Sequence, residues 1–327
     1  MNARDKIAKV RWAPITAVRT RKTLFATGSY DCRNPLLTIW SFDPKSADSM
    51  EDSLVNPLAS VSAQGNVSEV AFVQDGSLVV ASTDDGFVRV YRITADSNGL
   101  GIELCSEWKA HSRQCEWHSG CSAFDISSLG QEQLASVGSD GRIVFSAIEG
   151  RIIHELADGD VLPLSAVRWR SPSQIVTAGL SGRISIFDHR ASKASLSFSE
   201  SGFRVNPLHS LAVEASRPDK IVTGSSTGTV MLWDIRNPEM PESIEFQAHE
   251  SIVWEVQMYD TQVLSCSEDG NIGYWPLAPT GFTKRDQGGV AFEGKSLSLN
   301  SMHVHPELDT LITAGDDGML FYKNMSL

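Results

Sequence analysis

The sequence predicts an all-β protein folded as a seven-bladed β-propeller. One pattern recurs seven times along the 327 residues: an apolar run, a turn rich in Gly, Ser and Asp, and a second apolar run. A short apolar strand precedes each copy and a more polar one follows, giving four strands per unit of about 40–45 residues. No segment shows a sustained helical period, which argues against an α/β barrel. We expect a single domain spanning residues 1–327.

Glycines mark the hairpin turn of each copy. Asp-Gly or Ser-Gly between alternating apolar runs supplies the positive φ angles that tight turns require. The first copy, residues 24–42, has a longer turn, because Gly28 and Trp40 are 12 residues apart whereas Gly224 and Trp233 are 9 apart. In the other six copies the turn glycines follow one another at 55, 41, 46, 42 and 48 residues: Gly86, Gly141, Gly182, Gly228, Gly270 and Gly318.

The predicted inner and outer strands differ in composition. Inner strands are small and apolar because they crowd the central axis, whereas outer strands such as 151–156 alternate because one face is wet. Residues 2–7 either close the ring as an outer strand of the last blade, or that blade has three strands. The predicted inner strands are 10–12, 67–72, 121–124, 164–169, 208–213, 253–258 and 299–304.

The units resemble WD repeats. Trp233-Asp234 ends a third strand where that family carries Trp-Asp, and Ala248-His249 stands where it carries Gly-His. The resemblance implies a buried hydrogen-bond chain of His, Ser or Thr, Asp and Trp, whose donors and acceptors satisfy one another. The sixth unit has the full set, His249, Ser265, Asp269 and Trp275, and the third unit has His111, Ser136 and Asp140 without the Trp.

Composition narrows the possible functions. The chain has 28 Lys and Arg against 40 Asp and Glu, a net charge of −12, so we expect no direct nucleic-acid binding. No stretch approaches the ~18 apolar residues of a membrane span. The first residues have no apolar signal-peptide core, and the five cysteines are few and odd in number. We therefore expect an intracellular protein with reduced thiols.

No residue pattern predicts catalysis, a metal or a cofactor. His249, Asp269 and Ser265 match a hydrolase triad in type, but a triad also needs an exposed nucleophile and an oxyanion hole. Cys115, His118 and Cys121, with Cys105 and His111 nearby, form the only Cys/His cluster in the sequence. That cluster is either a zinc site or a polar loop that holds thiols. Paired acids such as Asp84-Asp85 stand in Gly-containing turns, where Asp is a common turn residue. We therefore expect no enzyme activity.

Four side chains are the first candidates for partner binding, because aromatic and Arg residues anchor many interfaces. Trp254 follows the first valine of a predicted inner strand, and it either faces the surface near the channel or packs between blades. The acidic segment 43–56 is either a solvated loop or a docking element. The remaining candidates lie in predicted loops: Arg113, Trp117 and Arg204.

A second resemblance concerns one WD-repeat family, the 43-kDa nucleoporins of the Y-shaped outer-ring complex of the nuclear pore. The shared motifs are Arg-Trp-x-Pro at 11–14 and Trp-Asp-x-Arg at 233–236, followed by Met-Pro at 240–241. Three more follow in order: Ala-His-Glu-x-x-x-Trp-Glu-Val at 248–256, Cys-Ser-Glu-Asp-Gly at 266–270 and Ser-Leu-Ser-x-Asn at 296–300. The resemblance implies a non-enzymatic scaffold subunit at the nuclear envelope that supports mRNA and protein transport. It also implies docking on the 85-kDa helical-solenoid nucleoporin.

An alternative rests on the same Trp-Asp-x-Arg box. Substrate receptors of cullin-4 ubiquitin ligases carry this box, and its Arg contacts the ligase adaptor. The box at 233–236 ends in Arg236, and a weaker copy lies at 187–190. The structural alternative is that Arg236 only caps its strand at the surface.

Overall fold

The computed structural model describes residues 6–14, 23–43, 55–73, 75–96, 99–112, 120–127, 133–191, 193–199, 205–214, 216–237, 242–259, 262–277, 289–292, 297–305, 307–308 and 310–323. The described residues form seven antiparallel sheets and contain no helix. The sheets are the blades of a seven-bladed β-propeller, as the repeats predict. In every blade the strands follow chain order from the inside to the outside.

The first four blades have four strands each. Blade 1 contains β1 (Lys6–Trp12), β2 (Thr23–Tyr30), β3 (Leu36–Phe42) and β4 (Val55–Ser62). Blade 2 contains β5 (Val67–Phe72), β6 (Leu78–Thr83), β7 (Phe87–Asp96) and β8 (Gly99–Lys109). Blade 3 contains β9 (Cys121–Ile126), β10 (Gln133–Gly138), β11 (Ile143–Ala147) and β12 (Ile152–Leu156). Blade 4 contains β13 (Leu164–Ser171), β14 (Gln174–Gly179), β15 (Arg183–Asp188) and β16 (Ala194–Ser199).

The last three blades differ in strand number. Blade 5 contains β17 (Leu208–Glu214), β18 (Arg217–Ser225), β19 (Thr229–Asp234) and β20 (Glu242–Gln247). Blade 6 contains β21 (Val253–Tyr259), β22 (Gln262–Ser267), β23 (Ile272–Pro276) and β24 (Gly289–Phe292). In the described residues, blade 7 contains only β25 (Leu299–His305), β26 (Thr310–Gly315) and β27 (Gly318–Lys323).

The apolar core lies between neighbouring blades. Second and third strands are buried on both faces, because each blade packs against the next on either side. The cluster of Val80, Val90, Phe124 and Val144, for example, joins blades 2 and 3. This packing explains why the repeats read as nearly continuous apolar runs in the sequence.

The ring closes where blade 1 meets blade 7. Trp12 packs edge-to-face on Phe25 and Phe42 of its own blade and on His305 of blade 7, with ring centroids 5.3 Å apart in each case. Its backbone N–H donates to His303 Nδ1 (2.9 Å), and its indole N–H donates to the His303 carbonyl (3.0 Å). The ring contacts and hydrogen bonds of Trp12 therefore hold blade 1 against blade 7.

The described residues test part of the two alternatives for ring closure left open by the sequence. Residues 6–12 form the inner strand of blade 1, so Lys6 and Ile7 do not belong to an outer strand of blade 7. Residues 1–5 lie outside the described part of the chain. Among the described residues, the last blade has three strands.

Candidate functional site

Two opposite faces of the ring are defined by strand direction. At the start face the inner strands begin and the turns between second and third strands lie beside them, as the pairing of Val67 with Thr83 shows. At the end face the inner strands finish, together with the third strands that end in Asp188 and Asp234.

At the start face, His249 of blade 6 lies in a group of side chains that contact one another. Its Nδ1 lies 3.1 Å from an Asp269 oxygen and its Nε2 lies 2.6 Å from Ser265 Oγ. Trp275 meets the His249 ring edge-on, with centroids 6.4 Å apart. Burial lowers the pKa of His249 despite the charge of Asp269. Ser265 has no exposed surface, so this group ties a loop to a hairpin turn and presents no accessible nucleophile.

Partial copies of this group occur in other blades. His111 lies 3.0 Å from both Asp140 and Ser136, which forms the same link in blade 3 without a Trp. Blades 1 and 5 keep only the indole part, because Trp40 donates to Thr27 (2.8 Å) and Trp233 donates to Thr223 (3.0 Å). Blade 2 replaces the imidazole with the buried guanidinium of Arg89, which contacts Thr83 and Asp85.

Trp254 lies at the start face on the rim of the central channel. It is half-buried and packs edge-to-face on His209 of the neighbouring blade, with ring centroids 5.3 Å apart. Burial lowers the pKa of His209, which favours the neutral form of this partner ring. Both alternatives stated for Trp254 therefore hold in part, since the side chain packs between blades and keeps an accessible edge.

Arg236 lies at the end face and is held by its own Trp-Asp-x-Arg box. Its side chain is 68% exposed, and its guanidinium lies 2.6 Å from Asp234. Partial burial raises the pKa of Asp234, but hydrogen bonds from Arg236 and Lys220 lower it by more, so this pKa lies well below its usual range. Arg190 forms the same local pair with Asp188 one blade earlier, at 2.8 Å. Both arginines therefore cap their strands while their side chains stay accessible.

The other candidates fall largely outside the described residues. Arg113, Trp117 and Arg204 do so, as do Cys115 and His118 of the Cys/His cluster and most of segment 43–56. Of the remaining cluster members, Cys121 is buried, which raises the pKa of its thiol, and Cys105 is exposed on β8. Within the described ranges no three His, Cys, Asp or Glu side chains converge in a manner that could hold a metal ion.

The structure also reveals two charged rings in the central channel that the sequence analysis did not predict. Alternate residues of an inner strand point to the same side, and strand register places equivalent residues of the seven inner strands at the same height along the axis. The first ring consists of Lys9, Glu69, Ala123, Ala166, Ser210, Glu255 and Ser301. The second ring consists of Arg11, Ala71, Asp125, Arg168, Ala212, Gln257 and His303.

Arg11 connects the two rings across the channel. Its guanidinium lies 2.7 Å from Glu69 of blade 2 and 2.8 Å from Glu255 of blade 6. Lys9 lies within 3.8 Å of both carboxylates. Burial opposes ionisation, but Arg11 and Lys9 hold the pKa of Glu255 well below its usual range. The positive and negative groups therefore neutralise one another in the middle of the channel.

His303 of the second ring is neutral. Burial, followed by the charge of Arg11, lowers its pKa to about 3. The neutral ring can accept the backbone N–H of Trp12 at Nδ1. Burial raises the pKa of Asp125 in the same ring, although Arg168 acts in the opposite direction.

A cavity of about 280 Å³ occupies the channel between these rings and the end face. Its wall includes Arg11, Arg168 and His303, together with Val213 and Met258 near the opening. This volume is slightly smaller than the ~300–1,000 Å³ of typical small-molecule sites. Arg11 is already ion-paired and Nδ1 of His303 accepts the backbone N–H of Trp12, so both side chains are engaged in contacts within the ring. The signal in the sequence was a charged residue at matching offsets of several inner strands, such as Glu69 and Glu255.

No helix in the described residues is long and apolar enough to cross a membrane.

Comparison with known proteins gives consistent matches. The profile of the family "WD domain, G-beta repeat" matches residues 55–92, within blades 1 and 2. "Nucleoporin Nup43" of Mus musculus is 29% identical over 326 residues, covering 93% of this chain and 83% of the relative. "Nucleoporin Nup43" of Homo sapiens is 28% identical, covering 92% and 82%. "Nuclear pore complex protein NUP43" of Arabidopsis thaliana is 30% identical over 304 residues, covering 81% of each chain.

Proposed function

The chain belongs to the Nup43 family of nuclear pore complex proteins, and from this premise we propose that it is a non-enzymatic scaffold subunit of the outer ring of the pore. The observation that carries the proposal is similarity along more than four-fifths of both chains to relatives from an animal and a plant. The names of these relatives indicate localisation at the nuclear pore. In this role the chain assembles with other nucleoporins and supports nucleocytoplasmic transport.

The proposed mechanism is rigid presentation of surface groups. The blade contacts, the His-Ser-Asp groups and the ion pairs of Arg11 fix the ring internally. Trp254 at the start face and Arg236 at the end face keep accessible side chains on that frame. The resemblance to the 43-kDa nucleoporins implies that the partner is the 85-kDa helical-solenoid nucleoporin, and we propose that the rigid ring meets its helical surface at a low ordering cost.

The arrangement of polar groups supports a structural role rather than an enzymatic one. Ser265 is buried beneath His249, and the channel carboxylates Glu69 and Glu255 are ion-paired. A catalytic site needs a nucleophile, base or metal that a substrate can reach. The described residues offer no such set in the channel.

The cullin-4 alternative gains no support from these observations. The reported relatives are named as nuclear pore proteins. Arg236 forms a local pair with Asp234, as Arg190 does with Asp188. A capping role for both arginines accounts for the Trp-Asp-x-Arg box without a ligase adaptor.

Affinity purification of the tagged chain from its own cells, with imaging of the same tag, tests the proposal. We expect outer-ring nucleoporins in the purified material and a signal at the nuclear rim. Trp254→Ala is expected to reduce recovery of the solenoid subunit if the start face docks, with Ile153→Ala on the outer strand of blade 3 as the matched control. Diffuse staining without nucleoporins would contradict the scaffold role.

A further inference from the structure

The loops that lead into the inner strands of blades 4 and 5 meet the start face in the same way. Pro163, directly before β13, and Pro207, directly before β17, each accept a backbone N–H from the hairpin turn of their own blade at 2.9 Å. Val161 and Val205 stand two residues before these prolines. The two valines therefore occupy equivalent positions on neighbouring blades.

Both valines lie open to solvent. Val161 is 97% exposed and Val205 is 66% exposed, and Leu162 beside the first valine is 44% exposed. Single exposed apolar side chains are ordinary at a protein surface, whereas apolar side chains that lie together on one face mark an interaction site. In the described residues, no loop at the end face carries a large apolar side chain as exposed as these. The start face is therefore distinguished by apolar surface over blades 4 and 5.

The same position carries a carboxylate in blade 6. Ile252 stands where the two prolines stand, because its carbonyl accepts the backbone N–H of Glu268 in the hairpin turn at 3.0 Å. Glu250, two residues before Ile252, is exposed. The Ser251 hydroxyl donates to the exposed carboxylate of Glu268 at 2.5 Å, so a second acidic group lies beside this loop. Apolar groups over blades 4 and 5 are thus followed by carboxylates over blade 6.

The charge of this part of the start face is negative. We define the start-face sector as the turns and loops of blades 4–6 at this face: residues 157–163, 180–183, 205–207, 226–229, 248–252 and 268–271. Its Asp and Glu side chains outnumber its basic ones five to one: Asp158, Asp160, Glu250, Glu268 and Asp269 against Arg183. Such a surface favours a partner that carries Lys and Arg.

Hydrogen bonds hold the start-face sector in one shape. Asp160 accepts the Ser181 hydroxyl at 2.5 Å and the Leu162 backbone N–H at 3.2 Å. The side chain of Asn206 donates to Thr229 Oγ1 at 3.2 Å. The exposed valines and carboxylates therefore stand on a framework that is fixed before binding, which lowers the ordering cost of association.

We propose that the start-face sector docks an amphipathic helix of a partner protein. The apolar stripe of the helix packs on Val161 and Val205, and its flanking Lys or Arg side chains meet Glu250 and Glu268. Trp254 at the inner border of the sector supplies an aromatic anchor. A helix fits this surface because the sector consists of turns and loops, which recognise a partner through side chains. The inference deepens the proposed scaffold role and rests on it only for the presence of a helical partner.

Site-specific crosslinking in the native assembly identifies the docked segment. A photo-crosslinking amino acid replaces Val205 in the full tagged chain, and the crosslinked sites are mapped by mass spectrometry after purification. We expect adducts on one helical segment of a partner, in which Lys or Arg lies within one turn of the crosslinked apolar residue. The same amino acid in place of Leu104, which is 42% exposed on β8, is expected to give no adduct on that segment.

Two double variants test the apolar and the charged parts separately. V161D/V205D is expected to lower recovery of the crosslinked partner at least ~10-fold, because it places charges against an apolar stripe. The matched control is L104D/I153D, which makes the same changes at exposed positions of outer strands.

E250K/E268K is expected to reduce recovery as well, and the single variant Glu103→Lys on β8 is its control. Replacing the Lys or Arg of the crosslinked segment with Glu is expected to restore recovery with E250K/E268K, because opposite charges then face one another again. This rescue requires that E250K/E268K is folded, so a general loss of structure cannot imitate it.

The inference and the scaffold role fail in different ways. Absence of adducts at Val205, adducts on a segment without Lys or Arg, or unchanged recovery with V161D/V205D would overturn the inference. If outer-ring nucleoporins still co-purify in that case, the scaffold role stands. A crosslinked helix from a protein that is not a nucleoporin, with rescue by charge reversal, would support the docking surface and contradict the scaffold role.

Discussion

At the scale of single residues, Arg11 shows how the channel tolerates buried charge. Two carboxylates from different blades meet one guanidinium, and Ser301 donates to Glu255 at 2.7 Å. A buried charge is expensive unless it is paired and hydrogen-bonded, and here each partner supplies part of that compensation. The pairing joins blades 1, 2, 6 and 7 at the axis, so its loss affects the centre of the ring.

Replacing Arg11 with Met is expected to destabilise the protein by about 3–5 kcal/mol, because Glu69 and Glu255 are left buried without their counter-ion. Urea unfolding measures this loss. The double variant R11M/E255Q is expected to recover part of it. Arg190→Met, which removes an exposed strand cap, is the control and is expected to leave the urea midpoint unchanged. A midpoint shift of equal size in both single variants would contradict this account.

His303 makes stability depend on pH. Its ordinary pKa is 6.5, and burial lowers the pKa in the folded state to about 3. Between these values the unfolded chain binds a proton that the folded chain does not, so stability is greatest above pH 6.5 and falls as the pH is lowered towards 3. The pKa values of His209, His249 and His305 are also lowered, so these side chains act in the same direction.

His303→Asn tests this dependence, because Asn keeps an acceptor for the Trp12 N–H but does not titrate. In the variant, the free energy of unfolding is expected to depend less steeply on pH, by about 1.4 kcal/mol per pH unit, which is the contribution of one proton. Urea midpoints measured at intervals from pH 6.5 down to pH 4.5 give the slopes. Parallel curves for the variant and the original protein would show that His303 does not carry the effect.

At the scale of the element, the hairpin turn sets the geometry of each blade. In blade 2 the turn glycine Gly86 has a φ of 91°, in the left-handed region. The position of an added Cβ lies only 2.0 Å from the His111 carbonyl oxygen, on the loop towards the next blade. The repeated glycine therefore serves both the turn and the close contact with this loop.

Gly86→Ala is expected to lower the free energy of unfolding by at least about 2 kcal/mol, from backbone strain and the contact with His111. Gly289→Ala on β24 is the matched control, because an added Cβ there meets nothing within 4 Å. The control is expected to change stability by less than about 0.5 kcal/mol. Thermal unfolding of both variants gives the comparison, and equal losses would refute the role of the turn.

At the scale of the whole molecule, the seam between blades 1 and 7 completes the ring. Trp12 lies at its centre, only 4% exposed, and contacts aromatic rings from both blades. Asn300 of blade 7 adds a hydrogen bond to the Ile7 carbonyl at 3.1 Å. Together with the apolar packing of Phe25 and Phe42 against Ile312 and Ala314, these side-chain contacts join the described parts of blades 1 and 7.

Trp12→Ala is expected to cost about 3–5 kcal/mol, as for other buried aromatic side chains. Hydrogen exchange should accelerate first in β1 and in β25–β27, since the seam opens there. Trp169→Ala at the contact of blades 3 and 4 is the comparison, and its effect is expected to be smaller and confined to those blades. Uniform acceleration around the ring in both variants would contradict a special role for the seam.

The sequence by itself determined the repeat, the strand order within each blade and the membership of the His-Ser-Asp groups. These features depend on local patterns, since turn glycines, alternation and residue type are read within one unit of about 40–45 residues. The motif series at 248–256 and 266–270 likewise carried the family resemblance.

Only the tertiary structure decided the charged rings, the contact of Trp254 with His209, and the place of residues 6–12 as the inner strand of blade 1. Each of these depends on which residues of distant repeats meet at the axis or at the seam. Glu69 and Glu255 are 186 positions apart in the sequence, and only closure of the ring brings both to Arg11. A repeat pattern defines each blade but not the height or direction at which its side chains meet those of another blade.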